Sequence, residues 1–253
     1  MKQRRKLSLI SGMHYVKLLL RSLLFISAIV LYILSRYHGG DGIFLGFEEK
    51  TYILLTIWIA YAFEMACRFF PSRLESMGCQ KQFKRNYMPS GESKPRLQSA
   101  WRTFFVALVW CLLNGAIGIL YYTHVIDEGV LILVSLFYGV ADMICILFFC
   151  PFQTWIMKNR CCTDCRIYNW DFAMMFTPFV FVPTLYTYSL LSLSLLLLFR
   201  WEITLRLHPE RFSEKTNCSV SCANCKEKLC HHKKQLRGFI FKNRARFRKN
   251  TRG

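Results

Sequence analysis

The chain has 253 residues, 53% of them hydrophobic, and 34 Lys+Arg stand against 15 Asp+Glu for a formal charge of +19. A soluble domain mixes charge with apolarity at a regular period. Here the charges collect between long apolar runs, which excludes an ordinary soluble domain and points to membrane spans joined by basic loops.

In chain order, residues 1–17 form a basic N-terminus, which the charge bias places in the cytosol. Two apolar stretches, 18–36 and 52–70, make a first transmembrane hairpin over 18–70. Each can cross the roughly 30 Å of hydrocarbon as a helix rising about 1.5 Å per residue. The first is too long for a signal-peptide core and no small-residue cleavage site follows, so it reads as a retained span. Residues 71–102 read as a basic cytosolic loop with a flexible Pro/Ser/Gly part, and 103–157 as a second transmembrane hairpin. A Cys-rich loop, 158–171, follows.

The stretch 172–200 contains Pro178 and Pro183, which interrupt a helix. A single crossing there would put the basic tail, 201–253, on the outside and break the charge bias. A re-entrant hairpin that returns the tail to the cytosolic side satisfies it; a kinked fifth span is the alternative. The expected fold class is therefore an all-α polytopic membrane protein. It has four membrane-spanning helices plus a fifth Pro-containing span or re-entrant hairpin, with small Cys-rich cytosolic elements. Trp101, Tyr121, Tyr122, Trp155, Trp170 and Trp201 fall near span ends, where interfacial aromatics anchor.

Twelve cysteines are present, and seven crowd into two segments. CCTDC covers residues 161–165 and CANCKEKLC covers 222–230. Cys-x-x-Cys lets one tight turn aim two thiolates at one ion, and two such turns complete a tetrahedral site. Cys162, Cys165, Cys222 and Cys225 are the natural four, with Cys161, Cys218, Cys230, His231 and His232 as additional ligands. Zinc suits such a set, and an iron–sulfur cluster is the alternative. Closing the site requires the intervening membrane segment to bring its chain back to the same side.

Three ionisable residues fall inside the apolar stretches, where each is costly unless paired or hydrated. Arg21 is expected to snorkel to the surface and Glu64 to pair with Arg68 one turn on. Asp142 has no basic neighbour in sequence and is the better candidate, with Glu64, for a proton or ion path. Asp171 reads as an N-cap before residue 172, and His208-Pro209 as a helix stop.

Partners follow from the same charges. The tail, HHKKQLRGFIFKNRARFRKNTRG, suits anionic headgroups of the lipid bilayer better than nucleic acid. A protein partner on the basic surfaces fits a scaffold role. No G-x-S-x-G, H-E-x-x-H, Walker loop or G-x-G-x-x-G occurs, so catalysis has no motif to rest on. The tract CPFQTWIMKNRCCTDCRIYNWD, with RWEITLRLHPERF and CANCKEKLC downstream, resembles a group of bacterial cysteine-rich integral membrane proteins with no assigned activity. The resemblance covers mainly 150–230 and implies a bacterial cell membrane. Three functions stay open: a non-catalytic scaffold with a zinc clamp between loop and tail, a membrane oxidoreductase using the thiols or a cluster, and a small transporter using Asp142. The first is favoured because the others lack complete motifs.

Overall fold

A computed structural model describes residues 8–37, 51–73, 75–159, 161–225 and 227, the side chains of 51–54 excepted. Cys230, His231, His232 and the basic end of the tail lie outside the described residues. The fold is helical, and among the described residues no strand forms beyond one bridge between Pro89 and Asn217. Three helices are long and apolar enough to cross a membrane: α1 (Leu9–Tyr37), α4 (Ala100–Tyr122) and α5 (Glu128–Leu147). Two more helices complete the long elements, α2 (Thr51–Phe69) and α7 (Leu185–Leu207). Tyr186, Thr187, Tyr188, Ser189, Ser192 and Ser194 dilute the apolarity of α7.

The register of side-chain contacts fixes the directions. α1 and α5 run antiparallel: Tyr32 reaches Asp127, Arg21 reaches Gly139 and Asp142, and Tyr15 packs on Phe148. α2 and α7 run parallel, since Trp58 meets Ser189 and Arg200 meets Phe69. The end of the bundle that holds the start of α1 and the ends of α2, α5 and α7 is called basal below.

Between α5 and α7 the chain takes a short climbing path. Helix α6 (Asp171–Met175) leads into a 3₁₀ turn over Thr177–Phe181. Asp171 sits beside Arg68 near the basal end, Thr177 accepts from Trp110 at mid-height, and Phe181 lies against Gly118 and Tyr122 near the far end of α4. A Cβ on Gly118 would stand 2.4 Å from the Phe181 ring, so only glycine admits this approach. Pro178 sits in the first turn of the 3₁₀ segment, where its missing N–H costs nothing. Thr184 then caps α7 through a reciprocal box with Thr187. Phe172, Met175, Phe176 and Phe179 of the climbing path form the core with Tyr61, Met65, Leu190 and Leu197. The path thus packs one side against the bundle, while Val180 and Pro183 stay exposed.

Several expectations change. α1 begins at Leu9, so residues 9–17 belong to the helix and not to a loop. Asp171 is the first residue of α6 and not its cap; Trp170 holds the N-cap position without a side-chain capping bond. Trp201 is no interfacial anchor but fully buried, whereas Trp101, Tyr122 and Trp155 are exposed as anchors would be. α7 does end at Leu207, with His208 as its C-cap.

The 71–99 segment is not a flexible connector. Ser76 caps the short α3 (Met77–Gln80), and Lys81 and Gln82 behind it are buried. With 158–170 and 208–227 this segment builds one basal cap. Arg211 donates to Gln82 O at 3.0 Å, Cys218 N to Met88 O at 2.7 Å, and Gln98 Nε2 to Asp164 O at 3.1 Å. Tyr168 Oη donates to Ser76 Oγ at 2.8 Å, which donates to Glu227 Oε1 at 2.7 Å. Loop and tail therefore share one end of the bundle, joined by hydrogen bonds.

Candidate functional site

The two Cys-x-x-Cys turns anchor on different parts of the cap. In the first, Cys165 N–H closes on Cys162 O at 2.9 Å, and the carbonyls of Thr163 and Cys165 accept from Lys81 Nζ at 2.7 and 3.1 Å. The turn seats a buried ammonium with its backbone oxygens. Lys81 also lies over the rings of Trp201 and Phe212, at 5.4 and 5.5 Å. Burial lowers the Lys81 pKa despite these partners.

The thiols play other parts. Cys162 Sγ donates to Gln153 Oε1 at 3.0 Å, and Cys161 Sγ pairs with Thr163 Oγ1 at 2.9 Å. Burial pushes the Cys165 thiol up to about 12, which makes it a poor nucleophile at neutral pH. In the second turn Cys225 N–H closes on Cys222 O at 3.4 Å, and Cys222 is exposed. Among the described residues no three Cys, His, Asp or Glu side chains are grouped as a metal ion would need. Cys162, Cys165, Cys222 and Cys225 are not gathered into such a group.

Asp164 lies on the same turn, and burial pushes its carboxyl up from 3.8 to about 6, with Lys81 opposing. The folded state then holds a proton that the unfolded chain releases near 3.8, so this stabilisation is fully present below that value and is lost as pH rises through about 6. Asp164→Asn is expected to melt higher than the parent at pH 7.5 and alike near pH 4. Thermal unfolding in detergent followed by tryptophan fluorescence reads this directly, and parallel shifts at both pH values would refute it.

Above the cap, the ionisable residues of the spans meet in one buried cluster. Arg21 donates to Glu64 at 3.1 Å, to Asp142 at 3.2 Å and to Gly139 O at 3.0 Å. Lys17 lies 2.7 Å from Glu64 and 3.1 Å from Glu75. Arg68 lies 2.6 Å from Asp171 and 3.8 Å from Glu75, donates to Asn169 Oδ1 at 2.9 Å, and stacks 4.5 Å over Phe172. Burial pushes Glu75 up, but the Arg68 and Lys17 charges outweigh it and hold its carboxyl below the ordinary range.

Arg21 therefore does not snorkel, and Glu64 pairs with Lys17 and Arg21, not with Arg68. Each cation is satisfied by acids from other helices, which is the condition for charge at membrane depth. Three cations, Lys17, Arg21 and Arg68, face four carboxylates, Glu64, Glu75, Asp142 and Asp171. His14 borders the cluster, buried, and its ring nitrogens have no hydrogen-bond partner among the described residues.

Asp142 and Asp171 also line a cavity of about 310 Å³ between α4, α5, α6 and the Cys-rich loop. Cys145, Cys150, Cys162 and Cys165 contribute to the same wall, so the first Cys-x-x-Cys pair belongs to this cavity and not to the tail. Sequence reading missed the cavity, because its lining comes from separate segments. The intramembrane acid at 142 was the signal that could find it.

No protein-family model matches the chain, and neither a curated protein nor a solved structure does. The site therefore carries the functional argument alone.

Proposed function

We propose that this is a small transporter of the bacterial cell membrane, in which Asp142 is the charge-bearing group of the translocation path. The observation that carries the reading is the position of Asp142: bonded to Arg21 on one side, with 18% of its side chain accessible, and lining the cavity. A carboxylate in both a buried ion cluster and a cavity can exchange its counter-charge between protein and cargo. The proposed topology has six crossings, with the climbing path and α7 as the last two. The basal cap then faces the cytosol with both ends of the chain, in accord with the basic residues concentrated there. The basic tail lies on anionic headgroups.

The test is proton flux across vesicles that hold the purified protein and an interior pH dye. An imposed pH gradient should collapse faster with the parent than with Asp142→Asn. Equal rates would sink the transporter reading.

A second reading is favoured by one observation, the shared cap of loop and tail: a scaffold whose basal surface receives a protein partner, with zinc held where Cys-rich loop and tail meet. Elemental analysis of protein purified without chelator tests it. Near-stoichiometric zinc lost on Cys222→Ser with Cys225→Ser would support it; zinc absent from the parent would remove it.

A further inference from the structure

The cluster contains one more carboxyl than cations, so it can take up one further positive charge, either a proton or a cation bound at its open side. Protonation of His14 would close the count, but His14 is not part of the cavity wall. Asp142 and Asp171 are; Asp171 is held by Arg68 at 2.6 Å, and Asp142 keeps 18% of its side chain accessible.

Aromatic rings stand beside the cysteines and aliphatic side chains of the wall. Trp110, Phe137, Tyr138 and Phe152 line the same cavity, with Trp110 ring centroids 4.6 Å from Tyr138 and 6.1 Å from Phe152. The Trp110 indole is held in place by its bond to Thr177 Oγ1 at 3.1 Å. Aromatic rings around a carboxylate suit a cation whose charge is wrapped in carbon, because the ring faces attract it and no polar shell has to be matched. The volume suits a ligand of about ten heavy atoms, at the small end of ligand cavities. Phe137, in the wall, is also 51% exposed on the outer surface of the bundle, so entry from the apolar phase is open.

We infer that this cavity binds a lipophilic monovalent cation, a quaternary ammonium or similar group, with Asp142 and Asp171 as its counter-charge. The inference rests on the reading of the Asp142 cavity as the working site, and its test does not depend on transport.

The experiment is titration calorimetry of the full-length protein in neutral detergent with benzyltrimethylammonium and with its uncharged carbon isostere, neopentylbenzene. The cation should bind roughly tenfold tighter than the isostere or better. Asp142→Glu should keep that preference, Asp142→Asn should abolish it, and Ala141→Phe, which narrows the cavity, should weaken both ligands. Equal binding of the two ligands to the parent would overturn the inference while leaving Asp142-dependent flux to stand or fall separately. Cation binding unchanged in Ala141→Phe would overturn it even if Asp142→Asn failed to fold. Cation binding as inferred without any vesicle flux would make the protein a binder and not a carrier.

Discussion

Replacing Arg21 by methionine is expected to remove most of the folded protein. The side chain is 6% accessible and bonds Glu64 and Asp142 on two different helices. Methionine nearly keeps the volume but leaves Asp142 without its cation and Glu64 with Lys17 alone. Breaking a buried pair in this way costs about 3–5 kcal/mol, a large part of any domain's net stability. The decisive comparison is the double variant Arg21→Met with Asp142→Asn. It restores the original excess of one carboxylate and should recover a substantial share of the loss, because the two residues are in contact and their effects are coupled. Yield of the monodisperse protein on size exclusion and the melting temperature in detergent read both. If the double variant were less stable than Arg21→Met alone, the charge account of the cluster would be wrong.

Trp201→Ala is the second large effect expected, at about 3–5 kcal/mol. The indole is fully buried near the end of α7, donates to Arg166 O at 2.8 Å, and stands edge-on to Phe212 at 4.8 Å. Lys81 lies over its ring. One side chain therefore joins the end of α7 to the Cys-rich loop, the 71–99 segment and the 209–212 turn. Its loss should loosen the cap before the bundle. Limited proteolysis should cut first within 71–99 and 208–225, while the helices stay protected. Trp201→Phe should fall between, since it keeps part of the volume and gives up the bond to Arg166. Cleavage first between α4 and α5 would contradict this picture.

What the sequence made legible follows from the range of the interactions involved. Long apolar runs identify α1, α4 and α5 because hydrocarbon length alone selects them, and the two prolines of 172–200 mark the interruption that separates α6 and the 3₁₀ turn from α7. The start of α1 was set too late because His14 and Lys17 look like loop residues, and Lys17 finds its partner Glu64 only on α2. Arg21 and Asp142 are 121 residues apart, and no local rule pairs them. The cap was misread for a similar reason: Lys81 sits among polar and basic neighbours in sequence, yet is enclosed by two carbonyls and two rings from other segments. The Cys-x-x-Cys spacing correctly marked a tight turn at 162–165. It did not show that the turn's carbonyls, and not its sulfurs, hold the cation there.

The climbing path after residue 170 also bears on how the chain enters the membrane. It is only about a dozen residues long, starts with Asp171 and contains a 3₁₀ turn, so it has too little apolar helix to partition into lipid by itself. Its place exists only after α1, α2, α4 and α5 have gathered, with Arg68 waiting for Asp171 and Gly118 leaving room for Phe181. In the proposed topology, 171–207 is expected to enter as one unit, after that four-helix wall has formed. A ribosome that releases the chain early, or a truncation before α7, should leave an inserted four-helix intermediate whose Arg68 is an exposed invitation to quality-control proteases.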